Sequence, residues 1–183
     1  ARCVAQIVTE HLDHKNVAAA LSIVKKRIGI ALSEKQEAAV FAAFQHNLSI
    51  ITGGPGTGKT TVLRAILEVY QMMYPASGIL LAAPTGRASR RMAESSGYDG
   101  ARTLEEEERS TLNVGRIIVD ETSMVDMWLA KQLFSRIAPG TKVILVGDAD
   151  QLPSVGAGNV FRELIDCGEI PVTVLDQIFR QAE

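Results

Sequence analysis

The sequence predicts an α/β fold: a mostly parallel, five-stranded sheet with helices on both faces, preceded by N-terminal helices. Three observations predict it. Five short apolar runs, at 48–52, 79–83, 117–119, 143–146 and 172–175, lack alternation of apolar and polar residues, as strands buried on both faces do. Helical patterns separate them, at 58–74, 86–96, 124–137 and 157–167. Each of these follows a turn rich in Gly, Pro, Thr, Ser or Asp, so strand and helix alternate in the manner of parallel crossovers.

Taken in order, residues 4–28 carry apolar side chains at Val4, Ile7, Val8, Leu12, Val17, Leu21, Val24 and Ile28, which fits two helices meeting near Asp13–Asn16. Residues 1–30 are read as this helical N-terminal segment and 31–183 as the α/β unit. A helix over 34–46 comes next, with Ser33 and Gln36 at the spacing of a capping box. The first strand runs into Gly-Gly-Pro-Gly-Thr-Gly-Lys-Thr-Thr at 53–61, and the second into Ala83-Pro84-Thr85-Gly86-Arg87-Ala88-Ser89-Arg90-Arg91. The third ends on Asp120-Glu121, the fourth on Gly147-Asp148-Ala149-Asp150-Gln151, and the fifth leads to Arg180. No internal repeat interrupts this order.

Composition sets the class of protein. With 183 residues, 46% hydrophobic and 22% charged, the chain suits one globular domain with a sizeable core. A net charge of -2 gives no basic excess, so contact with nucleic acid must come from a local patch. Cys3 and Cys167 lie far apart without metal-ligand partners, which suits reduced thiols of a cytoplasmic protein. No apolar run reaches the roughly 18 residues of a membrane span, and Ala-Arg-Cys-Val-Ala-Gln is no signal peptide. Beginning at Ala1 and ending at Glu183, the chain is expected to be a piece of a longer protein.

The chemistry concentrates after the strands. Gly53, Gly58, Lys59 and Thr60 form Gly-x4-Gly-Lys-Thr between a strand and a helix, the context of a phosphate-binding loop. Across Gly53, Gly54, Pro55, Gly56, Thr57, Gly58, Lys59, Thr60 and Thr61, backbone N–H groups turn toward phosphate oxygens and the helix N-terminus adds partial positive charge. Lys59 then reaches the β- and γ-phosphates of ATP, and the Thr60 hydroxyl ligates Mg²⁺. Asp120 holds the same Mg²⁺ through its water shell, and Glu121 orients and deprotonates the attacking water. Acidic residues in this place also serve as helix caps, and Thr122, Ser123 or Asp126 could cap here too. Gln151 can donate to a γ-phosphate and accept from the water, or sit in a plain turn. Pro84, Thr85, Gly86 and Arg87 suit a nucleic-acid backbone, or a solvated basic helix face.

Together these strings resemble helicase superfamily 1, most closely the RecD/TraA-type DNA helicases that include the exodeoxyribonuclease V alpha subunit. The likeness runs from about Leu32 to Arg180, and it implies a RecA-like P-loop NTPase core that is the first of two motor lobes, the second being absent. It further implies ATP- and Mg²⁺-dependent movement 5′ to 3′ on single-stranded DNA in recombination or repair, with other subunits of a recombination nuclease as possible partners. The separate lobe is expected to be a monomer.

By the resemblance, Gln36 reads the adenine edge, Thr85 and Arg87 touch single-stranded DNA, Gln151 senses the γ-phosphate, and Arg180 stabilises transition-state charge. One departure stands out. Where family members carry Thr, an apolar residue and His, followed by an inserted hairpin, Thr103-Leu104 runs into Glu105-Glu106-Glu107-Glu108-Arg109. Either the insertion is reduced or residues are missing there. A kinase or GTPase is disfavoured by the lack of an Asn/Thr-Lys-x-Asp guanine signature. A module that binds nucleotide or single-stranded DNA without significant turnover remains the alternative for a separate lobe.

Overall fold

Apolar runs without a polar face have to be covered on both sides. The computed structural model, which describes residues 14–98, 101–104, 114–152 and 155–178, covers them in that way. The chain runs α1 (His14–Ile28), α2 (Glu34–Gln45), β1 (Leu48–Gly53), α3 (Lys59–Met73), β2 (Ile79–Ala83), α4 (Gly86–Ser96) and β3 (Ala101–Thr103). It continues with β4 (Arg116–Val119), a 3₁₀ turn at Thr122–Met124, α5 (Met127–Phe134), β5 (Lys142–Gly147), α6 (Val160–Asp166) and β6 (Val172–Leu175). The strands form one sheet in the order β3-β2-β4-β5-β1-β6, and every pairing is parallel.

The four inner strands, β1, β2, β4 and β5, are buried at every residue. Their side chains alternate between two cores, as strand geometry dictates. Ile51, Leu81, Ile118, Ile144 and Val146 face a core shared with α1, α2 and α3. Ile50, Leu80, Ile117, Val119, Val143 and Leu145 face a second core closed by α5 and α6. Helices therefore cover both faces, as expected. α1 joins the first core through Val17, Leu21 and Val24, and Lys25–Glu37 and Arg27–Glu68 ion pairs tie its end to α2 and α3.

The sheet has six strands where five were expected. The extra strand, β3, is a three-residue edge element of Ala-Arg-Thr, partly exposed, with no apolar run to mark it. The helix expected over 124–137 is also divided. Asp126 adopts extended backbone and its carboxylate accepts from the Leu129 N–H at 2.8 Å, so a new helix is capped there and α5 starts at Met127. Asn159 caps α6 in the same way, starting it at Val160 rather than near 157. The first of the two expected N-terminal helices, the Glu105–Arg109 run, Cys3 and Arg180 lie outside the described residues.

Arg116 opens β4 fully buried, and none of its guanidinium nitrogens has a hydrogen-bond partner. It lies between two rings instead, 4.1 Å from the Phe44 centroid and 4.5 Å from that of Tyr70. The cation–π contacts compensate part of a desolvation that lowers its pKa to about 10.

Candidate nucleotide-binding site

The C-terminal edge of a parallel sheet collects the loops that follow its strands, and ligands settle there. β1 delivers residues 53–61. Gly53 is required by space: a Cβ on it would lie 2.6 Å from Thr57 Oγ1 and 2.7 Å from the Leu175 carbonyl oxygen. Gly58 is required by conformation, with φ of +82° at the N-cap of α3. Being glycine, it has no side chain to cap α3, whereas Ser33, Thr85, Asp126 and Asn159 each cap the helix they precede. The first-turn N–H groups of α3 are thus left for a ligand, and the helix dipole favours an anion. Lys59 folds back over the loop and donates to the carbonyls of Gly53 at 2.5 Å and Gly54 at 2.9 Å.

β4 delivers Asp120 and Glu121. Glu121 has φ of 53°, and is the one non-glycine residue with positive φ among those described. This left-handed kink costs about 1 kcal/mol. It is held by the Glu121 N–H donating to Asp120 Oδ1 at 2.8 Å and the Thr122 hydroxyl donating to the Val119 carbonyl at 3.0 Å. Backbone strain thus sits at Glu121.

β5 delivers the third edge. Asp148 is buried and its Oδ1 accepts from the Asp150 N–H at 3.0 Å. The Ser123 hydroxyl donates to Gln151 Oε1 at 3.2 Å, which links the loop after β4 to the loop after β5. Thr52 Oγ1 accepts from the Ala149 N–H at 3.1 Å and links β1 to the same loop.

A pocket of about 560 Å³ lies where these loops meet. Pro55 to Thr61, Asp120, Glu121, Asp148 and Gln151 line it, together with Ala88, Arg91, Met92 and Ser95 of α4. The expected phosphate loop, carboxylate pair and glutamine are therefore brought together. Gln36 is elsewhere. It is 2% exposed, its Oε1 accepts from the Ser33 N–H at 2.9 Å and its Nε2 donates to the Thr57 carbonyl at 3.2 Å. The capping box is formed, and the amide's other end braces the phosphate loop. Pro84 is buried, while Thr85, Gly86 and Arg87 are exposed at the start of α4, where the Thr85 hydroxyl accepts from the Ala88 N–H at 3.3 Å. Sequence reasoning left out Asp148, Ser123, Arg91 and Ser95. The signal for Asp148 was its place within the string after β5.

Among the described residues, no group of three or more His, Cys, Asp or Glu could hold a metal ion. Mg²⁺ bound with a nucleotide needs no such group, because phosphates and water supply most of its ligands. Thr60, exposed at the start of α3, and Asp120 fit that requirement. Burial raises the pKa of the Asp120 carboxyl above its ordinary value, and Glu121's charge adds to this; the Glu121 N–H and the charges of Lys59 and Arg91 oppose it. A desolvated carboxylate short of positive charge suits a cation.

The same shift makes Asp120 a cost to folding. A raised folded-state pKa means that the folded chain binds the proton more tightly, so stability falls as pH rises above the unfolded carboxylate value. Asp120→Asn is expected to raise Tm near pH 7, as a thermal melt would show. In melts repeated near pH 3, where the carboxyl is protonated in both states, the difference should vanish.

Comparison with known proteins agrees with this geometry. A family model described as an AAA domain, AAA_30, matches residues 31–183. The ATP-dependent RecD2 DNA helicase of Deinococcus radiodurans is 35% identical over 169 residues, covering 87% of this chain and 23% of that protein. The RecBCD enzyme subunit RecD of Mycobacterium tuberculosis is 35% identical over 166 residues, covering 73% of this chain and 29% of that protein. The chain thus spans about a quarter of the length of these relatives. Among solved structures, the Pif1 helicase of Candida albicans superposes with a TM-score of 0.61 at 28% identity, over 83% of this chain and 41% of that one. The chain belongs to the AAA domain family AAA_30, whose model spans every loop that forms the pocket, and it is similar to RecD-type helicases.

Proposed function

We propose that the chain is the nucleotide-binding first motor lobe of an ATP-dependent DNA helicase that moves 5′ to 3′ on single-stranded DNA, in recombination or repair. One observation carries the reading: Pro55 to Thr61 of the phosphate loop, Asp120, Glu121 and Gln151, from the ends of three separate strands, line a single pocket at the sheet's C-terminal edge. Residues 1–30 are its lead-in, helical at His14–Ile28, and 31–183 the lobe.

The division of labour follows from the contacts. Lys59 gives up the Gly53 and Gly54 carbonyls for the β- and γ-phosphates, exchanging neutral acceptors for charged ones. The free N–H groups of α3 hold the phosphate oxygens. Thr60 and Asp120 would hold Mg²⁺, which neutralises charge on the phosphates. Glu121 takes a proton from the attacking water, and Gln151 positions that water while Ser123 fixes the amide's orientation. Gln36 reads the adenine edge on exchanging its bond to Thr57, which would couple base recognition to the shape of the phosphate loop. Arg180 completes the charge on the γ-phosphate when a second lobe closes over the site. The protein is read as cytoplasmic; among the described residues no helix is long and apolar enough to cross a membrane. A RecBCD-like nuclease is one assembly it could join, as the M. tuberculosis RecD is named a subunit of one.

Pro84, Thr85, Gly86 and Arg87 form the DNA contact. Thr85 and Arg87 are exposed at a helix start one strand removed from Asp120, since β2 lies beside β4. Arg87→Ala should weaken binding of labelled oligo-dT and lower the slope of log affinity against log salt by about one ion, or about 0.7 for a single strand. Anisotropy titrations at several salt concentrations measure this. An unchanged slope would assign Arg87 to a solvated helix face.

A further inference from the structure

One wall of the pocket comes from a helix to which no nucleotide role has been given. Ala88, Arg91, Met92 and Ser95 line it from α4, and their i, i+3, i+4, i+7 spacing is that of a single helical face. Met92 is 3% exposed and packed in the first core, which fixes the rotation of α4 and so holds that face toward the pocket. Arg91, its neighbour, is exposed and forms none of the salt bridges found among the described residues. Its charge, like that of Lys59, acts on Asp120. Arg90, one residue earlier, does not line the pocket.

Charge balance gives Arg91 a task. Three carboxylates, Asp120, Glu121 and Asp148, face Lys59 and Arg91 in the lining. A magnesium nucleotide adds further net negative charge to that space, and Lys59 alone cannot offset it. A guanidinium, with donors in a planar fork, matches the oxygens of a phosphate. Arg91 and Asp120 line the same pocket, whereas Gln36 does not.

We propose that Arg91 is a nucleotide-binding residue, a guanidinium brought by α4 to the terminal phosphate of a bound nucleoside triphosphate. This rests on reading the pocket as an ATP site. It makes α4 a single element with the DNA-contacting residues at its start and a phosphate contact one turn further on, because Arg87 and Arg91 stand at i, i+4.

The test is equilibrium binding of fluorescently labelled ATP and ADP, with Mg²⁺, to the chain and to Arg91→Ala, Arg91→Gln, Arg91→Lys, Arg90→Ala and Lys59→Ala. Arg91→Ala and Arg91→Gln should lose about tenfold in affinity for ATP and less than about twofold for ADP, the loss of one charge-assisted contact. Arg91→Lys should recover most of the ATP affinity, and Arg90→Ala should match the parent. The glutamine variant keeps the side-chain stem and serves if the alanine variant fails to fold. Equal losses for ATP and ADP, or none, would overturn the proposal. Retention of ATP binding by Lys59→Ala would overturn the underlying reading of the pocket instead.

Discussion

Lys59→Ala should abolish nucleotide binding, weakening it by about 100-fold or more, while leaving the fold intact. Among the described residues the ammonium donates to two carbonyls, at 2.5 and 2.9 Å, both within the phosphate loop. It is positioned by neutral acceptors that a phosphate can replace with stronger, charged ones. Without it, phosphate oxygens would meet the carboxylates of Asp120, Glu121 and Asp148 with Arg91 as the one cationic side chain among the described residues lining the pocket. The lost charge-assisted bonds account for about 2–3 kcal/mol, which is the hundredfold. Folding is spared because Lys59 begins α3, where alanine is a good helix former, and because its side chain crosses no core. Titration calorimetry with ATP and Mg²⁺, beside a thermal melt, separates the two effects. Tight binding by the variant would remove the loop's phosphate role.

Glu121→Gln should do the opposite, leaving ATP binding within about threefold and lowering hydrolysis by about 10²–10⁴, the range for removing a general base. The substitution keeps size and backbone demands, so the left-handed turn at φ 53° and the Asp120 contact at 2.8 Å should persist. What disappears is the ability to accept a proton from water. Asp120 and Thr60 remain for the cation, and the phosphate loop is untouched. Single-turnover hydrolysis measured beside binding tests this. If ATP binding is lost with the hydrolysis, Glu121 is a ligand-holding residue and the base lies elsewhere.

Where each residue type had one physical purpose, the sequence was readable. The bracket from Gly53 to Thr60 follows from spacing, and α4 lies at Gly86–Ser96 as expected because Thr85 caps its start and Gly97, with φ of 69°, ends it. The inner strands were legible because no polar alternation competed with burial on both faces. β3 was not: Ala-Arg-Thr at an exposed edge carries no apolar pattern. The break in the helix expected over 124–137 depended on whether Asp126 capped or merely sat on a surface, a choice made by its contact with Leu129. Gln36 was ambiguous for a similar reason, since an amide has two ends and the sequence cannot say which neighbour takes the second. The Ser123–Gln151 bond joins residues 28 apart, through two strands that only the sheet order makes adjacent. Arg91 stood within a run of arginines, and the packing of Met92 decides which of them meets the pocket. Arg116 defeats sequence reading altogether, because a buried guanidinium between Phe44 and Tyr70 leaves no trace in the pattern of a strand.

The central claim joins the pocket to DNA, and the steady-state rate of ATP hydrolysis by the intact protein, with and without oligo-dT, tests it most directly. The account predicts a rate that rises about tenfold or more with oligo-dT, the size of an ordinary coupling between two sites, and that vanishes in Lys59→Ala. A rate indifferent to single-stranded DNA would contradict it.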